Sequence, residues 1–441
     1  MAPSRHNGND PFDIVVIGGG PAGLFAGISV LEKNPAARVV ILEHKAKVAR
    51  KLLVTGGGQC NLTNTLPMNR FVSHYGEASS TIRKVLYGFN NAALAEWFET
   101  HGLKLIARPD GKVFPSSFKS VDVLETLVRA FQKAGGLIEC RSEVRSIDHH
   151  DEGGFRLVVG DETYRTDRLI MATGGITYPQ TGSDGSADRL LSGLLQRAGI
   201  TAMPFEPALT PIYPRDYAFY ALAGVSLEDV DIYSSHAKSG VISSGGLLFR
   251  PDSLSGPAIL DASRHLSKGE RFEVDFAKHI APSTDSFCEK FSQVARSSSK
   301  ETLTEVVHFT RLPKRLVECL LKGWRGEEGV AKASARDLSK AEIRLIARRL
   351  KRCPFIVETK GDANLGMVSS GGIPLDALDM KTMMAPTIPG LYFCGEIVDV
   401  IGDTGGFNLQ WAFSSARCAG HSAAADLGND EDFRSDVHSV E

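Results

Sequence analysis

Three glycines near the N-terminus have the spacing of a phosphate-binding turn. Gly18, Gly20 and Gly23 form Gly-x-Gly-x-x-Gly directly after an apolar run over residues 12–17. Gly18 permits a tight turn, Gly20 leaves room for the backbone to approach a pyrophosphate, and Gly23 allows close packing of helix and strand. A helix beginning here would point free N–H groups at the phosphates. The spacing therefore predicts a site for the diphosphate of a dinucleotide.

An acidic residue follows at the distance that such a ligand requires. Glu43 lies 20 residues after Gly23, at the end of a second apolar run over residues 38–42. A carboxylate there accepts hydrogen bonds from both hydroxyls of an adenosine ribose and repels a 2′-phosphate. FAD and NAD share this fingerprint, and an ordinary α/β protein can have a similar glycine turn. These residues alone predict an adenine dinucleotide without choosing between the two.

Hydrophobic patterning predicts the elements that position these residues. Residues 24–32 have a helical pattern between the two apolar strands, which predicts a β-α-β unit. A buried strand over 169–172 ends at Thr173-Gly174-Gly175, and the segment 391–396 is a strand entering a turn at Gly395 and Glu396. Both segments resemble strands that meet the cofactor in two-dinucleotide flavoproteins, so they favour FAD over NAD.

Three longer segments carry a resemblance to a known family. They are KLLVTGGGQCNLTN from Lys51, ATGGITYPQTGS from Ala172 and GLYFCGEIVDVIGDTGGFNLQWAFSS from Gly390. Over nearly its whole length the chain is similar to the HI0933-like family of bacterial flavoproteins. The resemblance implies an α/β fold, with a glutathione-reductase-type, FAD-binding Rossmann-like domain that is interrupted by an inserted domain, part β-barrel and part helical.

Changes in amino-acid composition along the chain predict where the inserted domain lies. From about Pro204 the sequence becomes rich in Pro, Gly and Ser, and a later stretch is helical and highly charged. We expect the FAD-binding domain over residues 1–203 and 369–441 and the inserted domain over 204–368. Within the insert, we expect a β part over 204–283 and 353–368 and a helical part over 284–352.

Two glycine clusters are predicted to hold the flavin ring. Main chain at Gly56, Gly57 and Gly58 can lie against a flat ring and point N–H groups at its polar edge. The turn at Gly405 and Gly406 precedes the last helix and can face the pyrimidine, where negative charge collects on reduction. The other predicted cofactor-binding residues are Pro21, Ala22, Lys51, Thr55, Cys60, Asn61, Thr63, Asn64, Val144, Thr173, Gly174, Gly175, Gly395, Glu396, Asp399, Phe407, Asn408 and Leu409.

Two side chains in this set have alternative interpretations that the sequence leaves open. Lys51 meets a phosphate or the flavin edge, or it is a solvated surface lysine. Trp411, in the last motif, is interpreted as core packing rather than as a partner that stacks on the ring.

The resemblance implies reduction of a carbon–carbon double bond conjugated to a carbonyl. Such a reaction needs a hydride, which flavin carries, a proton for the α-carbon and a donor to the carbonyl oxygen. Cys60 and Tyr178 are the candidate acids, with a small buried thiol and packing beside Pro179 as alternatives, so no acid is assigned. The family usually has Arg where this chain has Gln59, so we expect a cation near the flavin or substrate to be missing.

The sequence has no second Gly-x-Gly-x-x-Gly between a strand and a helix, so a dedicated nicotinamide domain is not expected. NAD(P)H remains possible as a transient reductant that binds over the flavin.

A run of cations recurs every four residues in the insert: Lys332, Arg336, Lys340, Arg344, Arg348 and Arg352, joined by Arg349 and Lys351. A capping box at Ser339 predicts a helix from about Lys340. Its basic face could contact RNA phosphates, or it could be a solvated face suited to the helix dipole. The absence of interleaved aromatic residues weakens the RNA interpretation.

Composition narrows the class of protein. The chain has 441 residues, 42% hydrophobic, with a formal net charge of -2 and seven cysteines whose spacings match no zinc site. We therefore expect reduced thiols, no metal centre, no membrane span and a cytoplasmic location. Three functions remain open: a reductase of a small conjugated enone, a flavin-dependent dihydrouridine synthase acting on ribosomal RNA, and a non-catalytic flavin-binding protein.

Overall fold

The β-α-β unit that carries the glycine turn has the predicted elements. In the computed structural model, which describes residues 12–150, 153–234, 240–322 and 332–438, β1 (Phe12–Ile17) leads into α1 (Pro21–Lys33) and then into β2 (Val39–Glu43). The helix begins at Pro21, three residues before the predicted start. Proline is tolerated there because the N–H groups of the first helical turn have no acceptor within the helix. The turn is therefore fixed between a buried strand and a helix.

The described residues fall into two compact units, one comprising the residues up to Pro207 and those from Met367, the other Ala208–Gly366. Outside the barrel described below, the other strands are β3 (Thr63–Asn64), β4 (Leu105–Ala107), β5 (Lys112–Pro115), β6 (Leu137–Cys140), β7 (Val144–His149), β8 (Phe155–Val159), β9 (Glu162–Met171), β10 (Met203–Ala208), β17 (Val368–Gly372) and β18 (Leu391–Phe393). The helices of the first unit are α1, α2 (Met68–Phe71), α3 (Ser79–Gly88), α4 (Asn91–Thr100), α5 (Ser120–Lys133), α6 (Ser186–Ala198) and α12 (Phe407–His438).

The main sheet of the first unit has seven strands. Its order is β6-β2-β1-β9-β8-β7, and β18 pairs with β9. β9 is long because its first half pairs antiparallel with β8, while its second half lies in parallel register between β1 and β18. β1 and β2 are buried on both faces, as in parallel sheets covered by helices. The strands β3, β5 and β4 form a separate antiparallel sheet in that order.

The second unit is a closed six-stranded barrel with helices that share its hydrophobic core. Alternation along β12 separates the two faces of the strand, since Val230, Ile232 and Ser234 are buried while Asp231 and Tyr233 between them are partly exposed. The strands are β11 (Ile212–Pro214), β12 (Ser226–Ser234), β13 (Val241–Phe249), β14 (Leu254–Ser255), β15 (Arg271–Asp275) and β16 (Cys353–Lys360). The helices are α7 (Pro257–Ser263), α8 (Thr284–Ser297), α9 (Thr302–Thr310), α10 (Lys314–Leu321) and α11 (Lys340–Lys351). The predicted fold class, a FAD-type Rossmann-like domain with a barrel and helical insert, is confirmed.

Within the described part of the chain, none of the helices combines the length and apolar character that crossing a bilayer requires. The same residues contain no cluster of three or more His, Cys, Asp or Glu side chains placed to hold a metal ion.

Candidate cofactor and active site

The glycines of the N-terminal turn are constrained by different surroundings. A Cβ on Gly18 would lie 2.5 Å from the Ala172 carbonyl oxygen, and a Cβ on Gly23 would lie 1.9 Å from the carbonyl oxygen of Gly18. Gly18 also has φ +103°, which disfavours any residue with a Cβ. A Cβ on Gly20, in contrast, would have no described atom within 4 Å. Gly18 and Gly23 are therefore required by packing, whereas Gly20 faces open space.

Glu43 is held rigidly beside this turn. Its two carboxylate oxygens accept hydrogen bonds from the main-chain N–H of Gly19 at 2.9 Å and of Lys45 at 2.8 Å. Burial alone would raise the pKa of this carboxyl, but hydrogen bonds from His44, Lys45 and Gly19 outweigh it and hold the pKa below its ordinary value. The group is therefore an ionised acceptor at neutral pH, as a partner of ribose hydroxyls must be.

One cavity of about 460 Å³ joins these residues. All of its lining residues belong to the first unit. The predicted cofactor-binding residues that line it are Gly18, Gly20, Pro21, Ala22, Glu43, Lys51, Thr55, Val144, Thr173, Gly174, Glu396, Asn408 and Leu409. The predicted residues that are not among its lining are Gly23, Gly56, Gly57, Gly58, Cys60, Asn61, Thr63, Asn64, Gly175, Gly395, Asp399, Gly405, Gly406, Phe407 and Tyr178.

A polar network crosses the wall of the cavity at Lys51. The Lys51 ammonium donates to both oxygens of Glu396, at 2.8 and 2.9 Å, and to Oγ1 of Thr177 at 2.7 Å. Ser369 donates to the same carboxylate from both its main-chain N–H and its hydroxyl. Lys51 is thus a partly buried, paired cation rather than a surface lysine.

Thr177 and Ser369 were not singled out in the sequence. Thr177 lies inside the second family segment, but nothing in the spacing indicates that Ser369 is close to it. The link is made by the fold, because the strand β17 that carries Ser369 follows the insert. The sequence therefore indicated Lys51 as a site residue, but it did not indicate Thr177 or Ser369, the other two partners of Glu396.

The two glycine clusters lie against the β3-β5-β4 sheet. Gly56, Gly57 and Gly58 all have left-handed φ, between +56° and +85°. A Cβ on Gly406 would lie 2.5 Å from the Thr63 carbonyl oxygen, and Asn64 donates from its amide to the Gly405 carbonyl at 3.4 Å. Thr63 and Asn64, predicted to bind the cofactor, thus shape the turn before α12.

The residues that line the cavity fit an adenine dinucleotide, and two buried polar atoms nearby lack a partner in the part of the chain that the structure describes. Thr173 Oγ1 and Asn61 Oδ1 are buried without a hydrogen-bond partner among the described residues, which is costly unless a ligand or water completes them. Thr173 lines the cavity, Gly20 leaves space at the N-terminus of α1, and Glu43 is an ionised acceptor. These observations match FAD in its donor and acceptor chemistry.

The two candidate acids differ in environment. Cys60 is fully buried, and burial raises the pKa of its thiol to about 12. It is therefore a neutral packing group at physiological pH, as the alternative interpretation held. Tyr178 is partly exposed, with a left-handed φ of +57° at the start of a short 3-10 turn, and it lies outside the cavity lining.

Two other predicted residues have structural partners. Asp399 accepts a hydrogen bond from the Gly371 N–H at 2.8 Å and so fixes the end of β17. Trp411 is 1% exposed and donates from its indole to the Gly395 carbonyl at 3.1 Å. It also lines the cavity, so its position allows both core packing and contact with the cofactor.

A cation from another part of the chain, Arg108, lies beside Gln59. Gln59 accepts a hydrogen bond from Nη2 of Arg108 at 2.7 Å. Arg108 lies 49 residues away, in the turn between β4 and β5. The expectation of a missing cation considered only the residue at that position, whereas the fold places the guanidinium of Arg108 beside it.

The basic stripe of α11 is only partly a free face. The capping box at Ser339 and the helix start at Lys340 are confirmed. Lys340, Arg344, Arg348 and Arg352 are exposed, but Arg344 pairs with Asp285 and Arg352 pairs with Glu273 and lies over the Tyr233 ring. Two further members turn inward, since Arg349 donates to main-chain carbonyls and Lys351 is buried against Asp275.

The seven-stranded sheet, the glycine turn and the barrel insert together define a flavoprotein of the FAD-binding Rossmann class. The HI0933-like protein Rossmann domain model matches residues 12–422. The chain belongs to this family.

Two relatives extend over almost the whole chain. A protein of Escherichia coli strain K12 named ribosomal RNA dihydrouridine synthase is 30% identical over 409 residues, covering 92% of this chain and 96% of the relative. A 3-dehydro-bile acid delta(4,6)-reductase of Clostridium scindens is 29% identical over 420 residues, covering 93% and 98%.

Among solved structures, a 3-ketosteroid-delta4-(5alpha)-dehydrogenase of Rhodococcus jostii RHA1 has a TM-score of 0.51 at 17% identity. The match covers 96% of this chain and 99% of that one. At this identity the likeness concerns the fold alone.

Proposed function

We propose that this protein is a FAD-dependent oxidoreductase that reduces a carbon–carbon double bond conjugated to a carbonyl, with NAD(P)H as its source of electrons. The observation that carries the proposal is a single cavity lined by the glycine turn, by Glu43 and by the Lys51–Glu396 pair. The bile-acid reductase relative and its coverage of nearly the whole chain support this reaction type.

The chain's own residues would divide the work of binding. The N-terminus of α1 and the open space at Gly20 would take the diphosphate, and the ionised Glu43 would accept from the ribose. Lys51, held by Glu396 and Thr177, places an oriented, charge-balanced polar pair in the cavity wall, where it can hydrogen-bond polar atoms of the cofactor. When bound, FAD supplies the hydride for the reduction.

The direct test uses purified protein with its flavin, NADH or NADPH, and a 3-oxo-4-ene steroid under anaerobic conditions. We expect oxidation of one nicotinamide and a steroid product that has gained two hydrogen atoms, identified by mass spectrometry. Oxidation no faster than with free FAD, for this steroid and for other acceptors, would instead favour the non-catalytic flavin-binding function.

Reduction of a uridine in ribosomal RNA is the second candidate. It is favoured by the Escherichia coli relative, which is 30% identical over 409 residues. The exposed cations Arg344 and Arg348 on α11 offer one place where phosphates could bind.

A deletion strain separates the two candidates. Mass spectrometry of its ribosomal RNA would lose a dihydrouridine under the RNA function and remain unchanged under the enone function. Arg344→Glu with Arg348→Glu would then abolish activity on RNA and leave flavin reduction intact. The substitution costs little stability, because the Arg344–Asp285 pair is largely exposed.

A further inference from the structure

The hairpin formed by β4 and β5 turns one face toward both glycine clusters. Ile106 pairs with Phe114, and the Arg108 N–H donates to the Lys112 carbonyl at 2.9 Å, so these four residues share a face. A Cβ on Gly56 would lie 3.8 Å from Cε1 of Phe114, and a Cβ on Gly405 would lie 3.8 Å from Cε of Lys112. This face therefore borders the region where the sequence places the flavin ring.

Arg108 is held in a fixed orientation on this face. Its guanidinium carbon lies 4.1 Å from the centre of the Phe114 ring and 5.1 Å from that of Phe118. One N–H group donates to the Gln59 side chain at 2.7 Å. The residue is exposed, and its other N–H groups have no hydrogen-bond acceptor among the described residues. A planar cation clamped by rings and an amide has donors available at a low entropic cost.

Exposed apolar side chains lie beside this cation, next to the charged pair of Lys112 and Asp110. Ile106 is 43% exposed and Phe118 is 36% exposed. The nearby Lys112 is already paired with Asp110 at 2.7 Å. One available guanidinium set among exposed apolar side chains matches an amphiphilic anion better than a polyanion.

We propose that Arg108 binds the carboxylate of an otherwise apolar enone substrate, and that Gln59 is the positioning residue that orients the guanidinium. This inference rests on the proposed function and adds to it the class of substrate. It also explains why a chain with glutamine at position 59 can still present a positive charge there.

The test measures binding without turnover. The visible spectrum of the flavin-loaded protein is titrated with a saturated 3-oxo bile acid, which cannot be reduced at a ring double bond, and with its methyl ester. We expect the wild type to bind the acid more tightly than the ester. Arg108→Ala should weaken acid binding roughly tenfold, the usual scale for one charge-assisted hydrogen-bonded pair, and leave ester binding unchanged.

Two further variants isolate charge and position. Arg108→Lys should retain part of the preference for the acid, since it keeps the charge but loses the planar fork. Gln59→Glu keeps an acceptor for Arg108 but neutralises it, so the preference should fall while ester binding stays constant. Arg83→Ala is the matched control, because Arg83 also lies over an aromatic ring, that of Tyr87, and it should behave as wild type.

The outcomes distinguish this inference from the reaction itself. An acid preference that survives in Arg108→Ala with normal flavin content would overturn the role of Arg108, whatever the enzyme reduces. If Arg108→Ala lost binding to a ribosomal RNA fragment but bound the acid and the ester as the wild type does, Arg108 would be a phosphate-binding residue, and its proposed role with a carboxylate would be overturned. An Arg108-dependent acid preference without any turnover would leave the binding role intact and reject the proposed reaction.

Discussion

Gly20 and Gly23 belong to one motif, but only at Gly23 do the described neighbours exclude a side chain. Gly20 has open space where its Cβ would be, whereas a Cβ on Gly23 would meet the Gly18 carbonyl oxygen at 1.9 Å. We expect Gly20→Val to yield folded, colourless protein, because the valine would fill the space of a pyrophosphate. The measurement is the ratio of flavin to protein absorbance together with the melting temperature.

Gly23→Val is the control for that experiment. It should lower the melting temperature as well as the flavin content, since backbone would have to shift to admit the side chain. A yellow Gly20→Val protein at full flavin occupancy would show that the diphosphate does not lie at this turn.

A second prediction at the residue scale concerns His44. Its hydrogen bond to Glu43 raises the pKa of the imidazole above the ordinary value of 6.5, against the opposing effect of burial. The folded state thus favours the protonated ring. The stabilisation is fully present below pH 6.5 and is lost as the pH rises through the raised pKa.

Between pH 6 and pH 8 the wild type should therefore lose roughly 1–3 °C of melting temperature that His44→Asn does not lose, the scale of a partly exposed ion pair. Thermal melts of the two proteins across this range check the prediction. Parallel curves for the two proteins would mean that the His44–Glu43 pair contributes nothing to stability.

The spacing of residues in the sequence predicted contacts within one short segment, but it did not predict contacts between segments that are distant in the chain. The glycine turn and Glu43 are separated by a single β-α-β unit, so their proximity follows from the sequence. The contacts of Ser369 with Glu396 and of Arg108 with Gln59 cross tens of residues and other elements. No periodicity encodes such contacts, and so the cation beside Gln59 was missed.

Among the elements, α11 is joined to the barrel by a buried ion pair. Lys351 and Asp275 are each 2% exposed at the side chain, with Nζ and Oδ2 2.7 Å apart, and Lys351 also donates to the Ala281 carbonyl. Lys351→Met should leave Asp275 as an uncompensated buried charge and destabilise the protein by about 3–5 kcal/mol. Denaturant unfolding monitored by fluorescence gives the change.

The double variant Lys351→Met with Asp275→Leu removes both charges and should recover most of that loss. A single variant as stable as the wild type would show that water reaches this pair. A double variant as unstable as the single one would show that packing around the lysine stem, rather than its charge, was lost.

The same helix shows how far elements can be predicted. The capping box fixed the start at Lys340 because it is a local pattern of side chain and main chain. The basic face was less well predicted, since a spacing of four residues does not show which cations turn inward. Lys351 is buried because Asp275 of β15 faces it, and that partner lies 76 residues earlier in the chain.

For the whole molecule, the near-zero net charge makes a prediction about salt. With a formal net charge of -2, the chain has no general attraction to polyanions. Reduction of a small enone, which makes at most one ionic contact through its carboxylate, should change only a few-fold, on the order of one ionic contact, between 50 and 200 mM salt, because no phosphate contacts are broken. Steady-state rates at several salt concentrations measure this.

An RNA substrate held through about 6–10 phosphates would behave differently. Its binding would weaken by roughly 10³–10⁵-fold over the same range. A steep fall in activity on ribosomal RNA, with measurable turnover at low salt, would place this protein with the Escherichia coli relative in function.

The position of β18 has a consequence for how the chain is made. Leu391 pairs with Leu169, which leaves the ribosome 222 residues earlier, before the whole barrel and its helices are synthesised. At roughly 5–20 residues per second, the second half of β9 waits on the order of 10–40 seconds with one edge unpaired. Such an edge is a template for mispairing between nascent chains. Fast translation of the insert, or a chaperone bound to the growing chain, should therefore raise the yield of native protein.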